Sequence, residues 1–153
     1  MRHFRHSDFP EPWADAHPLI LEKLDDFRDD IGKPIIPSKA HGALCRYDAE
    51  KMGSPHYAVG RRSTAVDVFI PDVEPAWVFL RAMLFGFGAV GVYFDTHNNS
   101  GNPETMYHLD VRDLVDGRNR TCWYREHKKY NYARNIESAA PGFLARIARG
   151  YDG

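Results

Sequence analysis

The chain has 153 residues, 43% of them hydrophobic and 13% aromatic, which suits one globular domain with one core. Its 20 basic and 21 acidic residues leave a formal net charge of -1, so no global field draws it to nucleic acid or to an anionic membrane. No apolar run approaches the roughly 18 residues of a membrane span, and no apolar core with a small-residue cleavage site opens the chain.

An unsecreted, monomeric chain is expected, one that stays in the cytoplasm of the producing cell until released. Cys45 and Cys122 form neither a disulfide framework nor a Cys-x-x-Cys pair and are expected as reduced thiols. The sequons at Asn98 and Asn119 then carry no meaning.

Residues 1–17 are polar and aromatic and read as an irregular arm, with His3 and His6 as bystanders. From Pro18, the residues Leu19, Ile20, Leu24, Phe27 and Ile31 recur near helical spacing, and Gly32 marks the stop. Ile35-Ile36 reads as a short strand, and residues 38–53 as a loop with one helical turn. Ala65 to Ile70 is β-branched and apolar enough for a strand. A second helix runs from Pro75 to about Phe85, with Trp77, Leu80 and Leu84 expected on its core face, and Gly86 and Gly88 end it. Ala89 to Phe94 and Met106 to Val111 read as strands of a hairpin whose long tip is the turn-rich 95–103 segment. Residues 120–124 suggest an edge strand, and Pro141 opens a short helix carrying Phe143, Leu144 and Ile147. No repeat or low-complexity tract appears.

Alternation along a strand puts His108 and Asp110 on one face of Met106–Val111, opposite Tyr107, Leu109 and Val111. His108 with His56 and Asp67 offers two imidazoles and a carboxylate, the ligand quota of a catalytic zinc that keeps one open position. The spacing leaves a competing interpretation open, because a strand histidine is often simply hydrogen-bonded within a core.

The ordered series Ser54-Pro55-His56, Gly60, Ala65-Val66-Asp67, Gly91-Val92-Tyr93 and His108-Leu109-Asp110-Val111-Arg112 resembles the zinc D-Ala-D-Ala carboxypeptidase family, which includes phage and bacterial peptidoglycan peptidases. The likeness covers roughly residues 19 to 112, with Ile31 to Ile36 and Ser38 resembling the helix exit and strand before the family's site. It implies that His56, Asp67 and His108 ligate Zn2+ and that the substrate is a peptidoglycan stem or cross-linking peptide. Two departures stand out. Ten residues separate His56 from Asp67, more than the family's usual spacer, which points to an insertion around residues 61–64 beside the metal. At the family's usual upstream Arg position, three after Ser38, this chain has His41.

The expected fold is α+β over residues 1–153, a small mainly antiparallel sheet flanked by helices, with the zinc at one end of the sheet. The expected function is cleavage of peptide bonds in peptidoglycan, as carboxypeptidase or endopeptidase and in the setting of a phage endolysin. Without the upstream Arg, endopeptidase cleavage is expected to be at least as good as removal of a terminal D-Ala. Glu104 is the first choice as general base, Asp110 the second and His97 a third, while Asp110 also suits orienting His108 or pairing with Arg112. His41, Arg46 and Arg112 are candidates for contacting substrate or the oxyanion. The alternatives are a metal-containing but non-catalytic cell-wall or virion binding module, and a zinc-free structural domain.

Overall fold

A computed structural model of the chain describes residues 1–133 and 141–149. It is α+β: a six-stranded, mostly antiparallel sheet in the order β1-β2-β4-β3-β5-β6, with three longer helices packed on one face. The strands are β1 (Ile36–Pro37), β2 (Ala65–Phe69), β3 (Ala89–Tyr93), β4 (Met106–Asp110), β5 (Thr121–Glu126) and β6 (Lys129–Ala133). The helices are α1 (Pro18–Ile31), α2 (Pro75–Phe85), α3 (Arg112–Asp116) and α4 (Pro141–Arg149). Among the described residues, no helix is long and apolar enough to cross a membrane.

Period-2 alternation divides the sheet into two unlike faces. Val66, Val68, Val90, Val92, Tyr107, Leu109 and Cys122 point to the helices, where Ile20, Leu24 and Phe27 of α1, Phe79 of α2 and Ile147 of α4 complete one core. The other face carries the polar residues. Across it, Asp67, His108, Gly91, Trp123 and Tyr132 stand in one row, each paired with the next across the strands. The neighbouring row is Phe69, Met106, Tyr93, Arg125 and Tyr130.

Several expectations are corrected. The stripe Trp77, Leu80 and Leu84 faces outward, exposed at 39%, 42% and 77%, while Val78, Phe79, Ala82 and Met83 are buried. Because α2 is apolar nearly all round, helical spacing fits both faces and cannot choose between them. Strand β5 is not an edge: it lies between β3, to which it is parallel, and β6, which is the true edge. Arg112 does not continue β4 but opens the short helix α3. Helix α4 forms at the expected place and buries Ile147, whereas the expected packing of Phe143 and Leu144 lies outside the described side chains.

The N-terminal arm is irregular yet firmly attached. Phe4 and Phe9 enter the core, and both oxygens of Asp25 on α1 accept the backbone N–H groups of Arg2 and His3. The buried carboxylate of Glu11 accepts the N–H groups of Gly42, Leu44 and Cys45, which fixes the loop that presents Arg46. Both cysteines are free and buried, and burial pushes the Cys45 thiol up to about 12, so it is an inert core group.

Candidate metal centre

Asp67 and His108 are the central residues of five-residue strands and are directly paired, so their side chains rise together from the open face. The centre therefore sits at mid-strand on a face of the sheet, not at its end. His56 reaches the same point from the loop before β2. That loop is held by backbone bonds from Arg46 N–H to the His56 carbonyl and from Thr64 N–H to the Pro55 carbonyl. The Arg61 guanidinium adds bonds to the carbonyls of Met52, Ser54 and Tyr57. Residues 61–64, expected as an insertion beside the site, thus serve as its brace.

Three ligand atoms converge. His56 Nε2 lies 3.1 Å from His108 Nδ1 and 3.4 Å from Asp67 Oδ1, and His108 Nδ1 lies 3.0 Å from the same oxygen. Ligands about 2.0–2.1 Å from a tetrahedral ion stand roughly 3.3–3.4 Å apart, close to these separations. All three residues are buried, and together they could hold a metal ion. His56 Nδ1 is buried without a hydrogen-bond partner, so among the described residues no second contact orients that ring. Two imidazoles and a carboxylate, with no thiolate, suit a divalent first-row cation.

Charge around the triad is tightly balanced. Burial alone would raise the Asp67 carboxyl, but the facing His56 and His108 rings hold it well below the usual carboxylate range. Burial would likewise lower His108, yet hydrogen bonds and charge from Asp110 and Asp67 raise it. Asp110, fully buried, lies on the other side of the His108 ring, its Oδ2 3.4 Å from Nε2. It also accepts bonds from Arg112 N–H and Nε and from the Thr64 hydroxyl. Asp110 therefore orients His108 and pairs with Arg112 at the same time.

The triad opens into a cavity of roughly 370 Å³ lined by Arg46, Lys51, Arg112 and Arg125, by Tyr93, Trp123, Tyr130 and Tyr132, and by the triad itself. A cationic, aromatic wall of this size suits an anionic organic ligand. Among the described residues lining it, Asp67 is the only carboxylate.

The remaining sequence candidates divide clearly. Arg46 and Arg112 line the cavity and His41 does not; His41 is exposed and faces Glu11 at 3.6 Å. Glu104 is not on the cavity wall either: it sits in the hairpin tip with its carboxylate accepting from Asn98 Nδ2 at 2.7 Å. Strand geometry starts only at Met106, so alternation cannot be extended back through Pro103 to aim Glu104 at the site. His97 is exposed in the same tip. Tyr93 lay within the Gly91-Val92-Tyr93 motif but was given no role, and Trp123, Arg125, Tyr130 and Tyr132 were missed. Their alternation, Thr121-Trp123-Arg125 and Tyr130-Tyr132, was visible but lay beyond the motif series.

Comparison with family models, curated proteins and solved structures finds no match.

Proposed function

We propose that this chain is a zinc hydrolase of peptide bonds in bacterial peptidoglycan, a carboxypeptidase or endopeptidase acting on stem or cross-linking peptides after release from the producing cell. The observation that carries the proposal is the convergence of His56, Asp67 and His108 on the wall of an open cavity. Support also comes from the order of the Ser-x-His, Ala-x-Asp and His-Leu-Asp-Val-Arg motifs that bring them there. Zinc held by these residues would supply a Lewis acid and a bound water acidified to a pKa of about 7.

The chain's own groups divide the remaining work. The Arg46 guanidinium has no ion-pair or hydrogen-bond partner among the described residues, and the side-chain stem crowds the place where a Cβ on Gly42 would stand, at 2.7 Å. It is therefore packed in place yet electrostatically free to hold a substrate carboxylate. Lys51 adds a second cation at the cavity wall, its side chain unpaired among the described residues. The anchoring charge that His41 cannot supply thus comes from Arg46, and removal of a terminal residue becomes as feasible as internal cleavage. Burial, with Asp67 and Tyr130 nearby, pushes the Tyr93 phenol up, so it remains a neutral donor on the cavity wall, suited to a developing oxyanion. Asp67, the only carboxylate among the described lining residues, is taken up by the metal, so none of them offers a free carboxylate to accept a proton.

That absence of a second, free carboxylate among the described lining residues favours one rival, a metal-containing module that binds the cell wall or a virion part without turnover. Digestion of purified sacculi, followed by mass spectrometry of the muropeptides, separates the two. New peptide termini, lost on replacing His56 or His108 with Ala, are expected of the hydrolase; retention on sacculi with no new termini would establish the binding module.

A further inference from the structure

Gly91 stands between His108 and Trp123 in the cross-strand row of the open face. A Cβ on Gly91 would lie 2.4 Å from Trp123 Cε2 and 2.5 Å from its Nε1, a distance no real contact tolerates. Only glycine leaves this slot open. The Trp123 indole fills it, is buried, and lies with its ring centroid 4.9 Å from that of His108. The far flank of the indole is supported by Tyr132 at 5.8 Å and by Tyr93, edge-on at 6.5 Å. The Arg112 guanidinium, which holds Asp110, is 5.9 Å from the same indole.

Hydrogen bonds hold the two sides of the His108 ring unequally: Nδ1 lies 3.0 Å from Asp67 Oδ1 and 3.1 Å from His56 Nε2. The Nε2 contact with Asp110 is long at 3.4 Å, and the terminal torsion of histidine is broad and roughly two-fold. The indole packed beside the ring, inclined at 46° to it, restricts that torsion sterically. We infer that Trp123, seated on Gly91, is a positioning residue for metal ligation, fixing His108 so that Nδ1 faces Asp67 and His56 while Nε2 faces Asp110. The inference rests on the triad being a metal site. Trp123 belongs to a small cluster with Ala89 and Tyr93, apart from the helix-packed core, so truncating it spares the main core.

The test uses apo protein titrated with cobalt(II) and zinc, reading affinity by chelator competition, cobalt absorption and tryptophan fluorescence. Trp123→Leu should bind about 10- to 100-fold more weakly, the usual loss when support around a ligand is removed, with an altered cobalt spectrum and unchanged far-ultraviolet circular dichroism. Trp123→Phe, which keeps a flat ring, should recover most of the affinity. Cobalt should quench the wild type strongly and Trp123→Phe weakly, because Trp13 and Trp77 lie away from the cavity. Gly91→Ala should resemble Trp123→Leu. Wild-type affinity and spectrum in Trp123→Leu would overturn the inference while leaving the metal site standing. A wild type that binds neither ion would remove both.

Discussion

His108 is divided between its two nitrogens: Nδ1 faces Asp67 and His56, and Nε2 faces Asp110. Asp110→Asn should therefore keep the fold but weaken metal binding about 10- to 100-fold, measured by chelator competition; unchanged affinity would separate Asp110 from the site. A second residue-scale prediction concerns Asp25. Burial would raise its pKa, but the N–H groups of Arg2 and His3 and the Arg2 guanidinium together lower it. A carboxyl depressed by folding adds stability above its unfolded pKa of about 3.9, and that stability is lost as pH falls through the lower, folded value. Melting temperature measured from pH 6 to pH 2 should drop more steeply for the wild type than for Asp25→Asn. At pH 7 the variant should be less stable by about 1.5–3 kcal/mol, the worth of hydrogen bonds to a charged group. At this scale the sequence identified the triad, because motif order and strand alternation constrain three positions strongly. It misplaced Glu104, because alternation has no force in a turn-rich tip anchored by Asn98.

Helices, strands and their caps were legible wherever a local rule governs them. Pro18 and Pro75 open α1 and α2, and Gly32 and Gly86, at φ 61° and 90°, close them. The β5–β6 hairpin was missed because its two-residue turn is His127-Lys128, both at positive φ, where Asn-Gly is the usual signal. Left-handed backbone disfavours both side chains by about 1 kcal/mol or more each. Replacing them with Asn-Gly should raise stability by on the order of 0.5–1 kcal/mol, read from denaturant midpoints, without altering the sheet. The face of α2 allows a sharper comparison. Phe79→Ala should cost about 3–5 kcal/mol, whereas Leu84→Glu, at an exposed site, should stay within about 0.5 kcal/mol. Comparable losses at both positions would mean that the outward stripe is covered.

The whole molecule joins a conventional helix-packed core on one sheet face to an open face whose candidate site draws on five separate segments: the 46–56 loop, β2, the β3–β4 hairpin, the start of α3 and β5–β6. The sequence could not place the last of these, because pairing β5 parallel to β3 across the sheet is a long-range choice with no local signature. If the buried triad holds an ion, binding to the native state alone stabilises the protein, by about 2.7 kcal/mol at one hundred times the dissociation constant. Chelation should then lower the melting temperature by roughly 5–10 °C for a chain of this size. The most direct test is elemental analysis of metal per chain in protein purified without added metal, for the wild type and for the His56→Ala, Asp67→Ala and His108→Ala variants, each checked for folding by circular dichroism. About one equivalent of zinc in the wild type and little or none in folded variants is expected. A metal-free wild type that gains none on adding zinc, or full zinc retained by any of the three variants, would contradict the His56, Asp67 and His108 centre.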